Sequence, residues 1–199
     1  MNVACKALNP EKATRVRVSH HDAASPRRAE VESFIRSIFS RHYDADVRSF
    51  APQLMLVEND QGLVAASGWR SAKDAALFLE NYLDQPIEQA MAKLADQPTE
   101  RSRIVEVGHL AAERNGGSLH VILALAAHLH QQGYEWVVFT ATQELIGIFS
   151  RLGLPLLALA KADPVRLGVA ANDWGSYYDT EPVIVAGRIR LALDRLGNA

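Results

Sequence analysis

The sequence predicts an α/β fold in which one mixed sheet, with two parallel strands at its centre, is covered by helices. Three observations carry this. Ile104 to Leu154 spells strand, helix, strand and helix in turn, as IVEVGHLA, ERNGG, SLHVILALAAHLHQQG, YEWVVFTAT and QELIGIFSRLGL. Arg103 to Ala111 and Trp136 to Thr142 are rich in β-branched and small residues. A helical crossover between strands that are apolar nearly throughout favours two parallel strands buried in one sheet, with the chemistry at their carboxyl ends. Second, Leu54 to Glu58 and Leu63 to Trp69 flank Asn59, Asp60, Gln61 and Gly62, a turn composition that makes them an antiparallel hairpin. Third, the apolar run Leu156 to Ala160 and the alternating run Val183 to Ile189 supply a closing pair of strands.

The remaining elements follow in order. Arg15 to Ser19 alternates like a short strand. Pro26 opens a helix to about His42, with Val31, Phe34, Ile35, Ile38 and Phe39 on one face and Arg27, Arg28, Arg36 and Arg41 as its solvated side. Within LFLENYLDQPIEQAMAKLAD, Pro86 stands near a helix start and Ile87, Ala90, Met91 and Leu94 share a face. After Thr140-Ala141-Thr142, in which one threonine caps the next helix, Leu145, Ile148, Phe149 and Leu152 form an apolar stripe ended by Gly153 and Pro155. Asp163-Pro164 makes a turn, WGSYYDTEP is an aromatic loop, and Arg190 to Leu196 closes the chain as a short helix.

At 199 residues the chain suits a single domain, 1–199, with 1–14 as a disordered tail. A formal charge of −2 without long Lys or Arg runs argues against a nucleic-acid partner. Cys5 has no internal partner for a disulfide, and MNVACKALNPEK lacks the apolar core of a signal peptide, so a cytoplasmic location is expected. Gly116 to Gly133 falls short of the roughly 20 apolar residues of a spanning helix and is interrupted by His120, His128 and His130, so no stable membrane insertion is expected. Those histidines lie at spacings that do not converge on one helix face, and no metal is expected.

The first chemical candidates are Glu106 and His109. Strict alternation puts them on opposite faces, but Gly108 marks a bulge, and one extra residue turns both to the same side. A carboxylate and an imidazole beside a cleft share general acid and base work, the carboxylate raising the imidazole's pKa. The competing reading pairs Glu106 with an arginine and satisfies His109 in the core. Arg114, Asn115, Gly116, Gly117 and Ser118 lie between the first central strand and its crossover helix, where converging amides and a helix N-terminus suit a pyrophosphate or carboxylate. A plain turn with Ser118 as cap reads equally well. Trp174, Tyr177 and Tyr178, with Thr140, either line a substrate pocket or close the core.

The words LFLENYLDQPIE, VEVGHLA, WVVFTAT, FSRLGLPLLALAKADP and WGSYYDTEP with a following VAG, spread from Arg15 to Ile189, resemble the thermostable hemolysin family. That family in turn is similar to the GNAT acyltransferase superfamily, which includes the acyl-homoserine-lactone synthases. The resemblance implies a GNAT-like sheet whose central parallel strands splay around the donor's pantetheine arm. The implied donor is a coenzyme A thioester or the phosphopantetheine of an acyl-carrier protein, bound by Arg114, Gly116, Gly117 and Ser118 with Leu110 on the preceding strand. Arg114 and Gly117 match the superfamily's donor loop, whereas Leu119 stands where a small residue is usual. Phe149 occupies the place of the tyrosine that commonly acts as general acid. The resemblance therefore leaves His109 as the proton donor and Glu106 as the base, beside the substrate pocket of Trp174, Tyr177 and Thr140 that the residues themselves suggest.

Three functions are consistent with this pattern. Acyl transfer from a thioester to a small-molecule amine is the principal expectation. A membrane-lytic protein, as the family's name has it, lacks a spanning or strongly basic amphipathic segment in the sequence. A catalytically inactive binding module would account for Phe149 and the departure at Leu119.

Overall fold

The computed structural model describes residues 16–93, 98–113 and 117–196. The 1–14 tail, Leu94, and Arg114, Asn115 and Gly116 of the expected donor loop lie outside the described residues. The elements are β1 (Arg17–His21), α1 (Arg28–Tyr43), β2 (Gln53–Asn59), β3 (Gly62–Ser71), α2 (Ile87–Ala92), β4 (Ile104–Ala112), α3 (Gly117–Gln131), β5 (Trp136–Ala141), α4 (Gln143–Arg151), β6 (Leu157–Lys161), β7 (Val183–Arg188) and α5 (Ile189–Leu196). Tight 3-10 turns cover Phe78–Tyr82 and Arg101–Arg103, and a longer run of them covers Pro164–Thr180.

The seven strands form one mixed sheet in the order β1-β2-β3-β4-β5-β7-β6. Every neighbouring pair is antiparallel except β4 and β5, which are parallel as expected from the crossover. The β2–β3 hairpin closes through Asp60 and Gln61 between the paired Asn59 and Gly62. The front of the sheet carries α1 against Leu54, Leu56, Ala66 and Ala111. It also carries the Phe78–Tyr82 turn and α2 against Ile104, Val138 and Ile184. The back carries α3 and α5 against Met55, Val57 and Val105, and α4 against Phe139 and Val185. Among the described residues, no helix is long and apolar enough to cross a membrane.

Helix α1 forms because its apolar residues recur at helical spacing: Val31, Phe34, Ile35, Ile38 and Phe39 are all buried. It ends at Asp44 in the left-handed conformation, whose N–H returns to the Ser40 carbonyl at 2.9 Å. The expected solvated face holds at Arg36 and Arg41, which are exposed, whereas Arg27 and Arg28 are half-buried. Arg28 donates to the Ala51 and Pro52 carbonyls, both at 2.8 Å, and Arg36 Nε to that of Val47 at 3.1 Å. Arg27 reaches Glu58 on β2 at 2.7 Å. A helix lying across a strandless segment must satisfy that segment's carbonyls, and long arginine side chains do so from the edge of the apolar face. The segment held in this way, residues 44–52, brings Ser49 and Phe50 to the site.

The Pro164–Thr180 segment is broken by Gly168 and Gly175, both at positive φ. Gly175 packs directly on the end of α1, where a Cβ would collide with the Tyr43 carbonyl oxygen and with Asp44. Replacement therefore adds a steric clash to a left-handed backbone that only glycine adopts freely. Gly175→Ala is expected to lower unfolding stability by about 2 kcal/mol or more. Gly147, in α4 with open space around it, is expected to gain up to about 1 kcal/mol as Gly147→Ala. Denaturant unfolding of the two variants side by side checks both.

Candidate active site

The parallel ladder between β4 and β5 is short. It comprises Ile104 with Trp136, Val105 with Val137, and Glu106 with Val138. Beyond it β4 continues to Ala112 alongside β3, and β5 continues to Ala141 alongside β7. The two strands thus diverge, leaving the facing edge of each without a strand partner. The β3–β4 register slips by one residue between Gly68–Gly108 and Ala66–Ala111, so that β4 carries an extra residue opposite Ser67. His109 sits in that bulge at φ 54°. A bulge bends its strand and increases local twist, and here it turns β4 with β3 away from β5.

The bulge also aims side chains. Glu106 meets the front-face turn at Phe78 and Leu79, and His109 packs among Phe39, Phe50 and Trp174 on the same face. Leu110 falls to the back with the α3 cluster, and Ala111 returns to the front. Sequence alternation alone separates Glu106 from His109; the extra residue brings them to one side, with the insertion at His109 itself.

A cavity of about 360 Å³ occupies the divergence. Its front wall includes Phe39, Tyr43, Phe78, Tyr82, Trp174, Tyr177 and Tyr178, and its back wall includes Leu125, Leu129, Phe149 and Ile189. With linings from both faces, the cavity passes through the sheet in the gap between β4 and β5. Glu106, His109, Leu110 and Thr140 also line it. Gly117 and Ser118 lie in the first turn of α3.

Glu106 is buried and doubly engaged: Oε2 accepts from the Phe78 N–H at 2.8 Å and Oε1 from the Leu79 N–H at 2.9 Å. Arg70, its cross-strand neighbour on β3, approaches Oε2 through Nε at 3.3 Å. Burial pushes the carboxyl's pKa up, opposed by Arg70 and the two N–H groups. A second carboxylate completes the turn. Glu80 accepts from the Leu77 and Ile87 N–H groups, both at 2.8 Å, and pairs with Arg101 at 2.6 Å. Burial alone would raise Glu80, but Arg101 and the backbone donors outweigh it and hold it at about 2.

His109 Nε2 lies 3.1 Å from the Ser49 carbonyl oxygen, an acceptor, so this nitrogen carries the proton. Nδ1 is enclosed without a hydrogen-bond partner among the described residues. Burial, aided by the charge of Arg70, lowers the ring's pKa to about 4. This corrects the expectation that a neighbouring carboxylate raises it: enclosure of the ring is the main cause of the lowering, and Arg70 adds to it. The lowered pKa favours a neutral His109 ring.

Thr142 is the helix cap of the two threonines, its Oγ1 accepting from the Leu145 N–H at 3.2 Å. The Thr140 carbonyl accepts from the Tyr177 hydroxyl at 3.4 Å. Phe149 packs on Phe139 at the back. His20 and His128 stack on each other with ring centroids 3.9 Å apart, and no group of three or more potential metal ligands occurs among the described residues. Sequence reasoning missed Arg70, Tyr82 and Phe78. The Tyr82 hydroxyl hydrogen-bonds to that of Tyr178 across 96 positions of sequence. Arg70 carried a signal, since it continues the hairpin's second strand, but only the β3–β4 register sets it opposite Glu106.

The His109 environment sets a pH dependence. The unfolded chain binds this proton near pH 6.5 and the folded one only near pH 4, so the unfolded state holds more protons between these values. Stability contributed by the neutral ring is complete above pH 6.5 and is lost as the pH falls toward 4, to a total of about 3 kcal/mol. His109→Asn, which tolerates the left-handed backbone, is expected to flatten the slope of unfolding free energy over that window, measured by denaturant titration at several pH values.

The fold is similar to that of solved acyl-transferring enzymes. The acyl-homoserine-lactone synthase LasI aligns at a TM-score of 0.61 with 13% identity, over 90% of this chain and 94% of that one. BjaI, a coenzyme A-dependent acyl-homoserine-lactone synthase solved with S-adenosylmethionine and isopentyl-CoA, aligns at 0.59 with 15% identity, over 92% and 90%. FeeM, an N-acyl amino acid synthase from uncultured soil microbes, aligns at 0.57 with 10% identity, over 90% and 94%. A search of curated protein sequences gives no match. The thermostable hemolysin family model matches residues 21–193, nearly the whole described chain, and the protein belongs to the thermostable hemolysin family.

Proposed function

We propose that this protein is an acyltransferase that moves an acyl group from a thioester, carried by coenzyme A or by the phosphopantetheine of an acyl-carrier protein, to a small-molecule amine. The observation that carries this is the cavity through the sheet. A thioester arm entering between β4 and β5 meets unpaired main-chain groups on the diverging edges, and these hold an extended, amide-bearing chain as a strand would. Leu110 and the first turn of α3, with Gly117 and Ser118, are the donor end in this reading, and the family resemblance adds Arg114 and Gly116 to the donor's binding residues. The back compartment, lined by Leu125, Leu129 and Ile189, takes apolar substance. The similarity to BjaI, whose structure holds isopentyl-CoA, supports the same assignment.

In this reading the amine attacks the thioester carbonyl carbon from the front, where Trp174, Tyr177 and Thr140 shape its pocket. The carbon–nitrogen bond forms, the carbonyl oxygen becomes negative, and N–H groups on the open edge of β4 stabilise it. Glu106 takes the amine proton, directly or through water; its burial favours the protonated product of that step. The carbon–sulfur bond then breaks, and the thiolate takes a proton relayed from solvent through the Tyr82–Tyr178 hydroxyl pair, which is reprotonated in the same relay. Glu106 returns the amine's proton to solvent; Phe149, on the back wall, has no proton to give. His109 contributes as a neutral ring fixed by Ser49 that walls the pocket.

Incubating the protein with acyl-CoA thioesters and amines, while following free thiol and product mass, tests the proposal. Thiol release that requires amine is the expected result. Thioester binding without consumption makes the chain a binding module, and leakage of liposomes by the purified protein alone favours direct lysis. Glu106→Gln is expected to reduce turnover by roughly 10²–10⁴-fold and to lower the unfolding midpoint, because its amide presents a donor toward the Phe78 and Leu79 N–H groups. Tyr178→Phe is expected to slow turnover while leaving thioester binding intact.

A further inference from the structure

We propose that Arg70 recognises a carboxylate and that the amine acceptor is therefore an amino acid or a close analogue, its carboxylate held by the guanidinium on the front side of the cavity. This rests on the acyl-transfer reading and names its acceptor class.

Arg70 is the one Lys or Arg that lines the cavity among the described residues. Its partner Glu106 already accepts a backbone N–H on each oxygen, and the guanidinium approaches it through Nε at 3.3 Å. The two terminal nitrogens of Arg70 have no hydrogen-bond partner among the described residues, although its side chain is only 27% exposed. Other half-buried arginines in this chain spend those nitrogens. Arg28 places both on carbonyl oxygens, and Arg101 places them on Glu80, Glu88 and the Ala75 carbonyl. A partly desolvated, unfilled guanidinium fork is matched by one group above others, a carboxylate that accepts two parallel N–H bonds.

The surroundings fit the rest of an amino acid. Phe78, Tyr82, Trp174 and Tyr178 line the same compartment, with aromatic faces for a cationic or apolar side chain. Glu106, beside Arg70, is placed to take a proton from the amine. The transfer balances simply: the nitrogen–carbonyl bond replaces the sulfur–carbonyl bond, the amine loses a proton, and the thiolate gains one. The product is an amphiphile, with an acyl chain from the apolar back and a free carboxylate from the Arg70 side.

The test is binding of the whole chain, by titration calorimetry, to a panel of L-amino acids, to their amides, to the corresponding decarboxylated amines and to O-phosphoethanolamine. Amino acids are expected to bind at least about 10-fold more tightly than amides or decarboxylated amines, as for hydrogen bonds to a charged group. Arg70→Gln is expected to abolish that preference and Arg70→Lys to restore part of it, with the thermal shift by coenzyme A retained as the check that each variant is folded. The inference is overturned if amines without a carboxylate bind as well as amino acids, if no amino acid binds, or if Arg70→Gln keeps the preference. Tighter binding of O-phosphoethanolamine assigns the fork to phosphate and also overturns it. Should Arg70→Gln fail to fold, the analogue series on the wild-type chain and Arg70→Lys decide the matter. Carboxylate-dependent binding with no thioester consumed contradicts acyl transfer while sustaining the role of Arg70; transfer to amines irrespective of a carboxylate does the reverse.

Discussion

Beyond Glu106 and Val138 the strands β4 and β5 run on without pairing to each other, and the main-chain groups on their facing edges must find water or a ligand instead. Buried backbone polar groups are costly to leave unsatisfied, so a gap of this kind persists only where each strand is held firmly from its other side. β5 is paired with β7 along its whole length. β4 is paired with β3 on both sides of the His109 bulge. The bulge supplies the bend, and the flanking antiparallel pairs supply the rigidity that keeps the gap open.

The front of that gap is organised by two carboxylates, Glu106 buried and Glu80 half-buried. Glu106 and Glu80 each accept backbone N–H groups of the Leu77–Tyr82 region, and each has an arginine at hand, Arg70 and Arg101. The two pairs differ in a way that matters. Arg101 is saturated by Glu80, Glu88 and carbonyls, a closed structural network, whereas Arg70 is not. The same carboxylate that serves as the proposed base therefore also fixes the turn bearing Phe78 and Tyr82. Structure and chemistry are coupled at Glu106, and any substitution there is read on both activity and stability.

Much of this was legible in the sequence, and what was missed has a common cause. The crossover unit from Ile104 to Leu154, the hairpin around Gly62 and the closing strands are written in periodicity and turn chemistry, which are local. Gly108 flagged the bulge, although the inserted residue is His109. The competing readings of Glu106 were both visible, and the structure shows its arginine partner together with its place in the cavity. Arg70, Tyr82 and Ser49 were not legible as site residues, since each reaches the site through strand register or a long loop closure. The direction of the His109 shift failed because the ring's enclosure among Phe39, Phe50 and Trp174, which chiefly lowers its pKa, arises from long-range packing, with Arg70 adding to it. Arg28 of α1 is half-buried where a solvated side chain was expected, because the carbonyls it satisfies belong to an irregular segment.

The central claim is that a thioester's pantetheine arm lies along the open edge of β4. Amide hydrogen exchange, with and without a non-reactive acyl-pantetheine thioether, measures this directly, because coenzyme A and acyl-carrier protein share that arm. The account predicts slowed exchange in Val107 to Ala112 when the ligand is bound, with the paired segment Ile104 to Glu106 unchanged. Protection confined to other surfaces, or none at a concentration that shifts the unfolding midpoint, would contradict it.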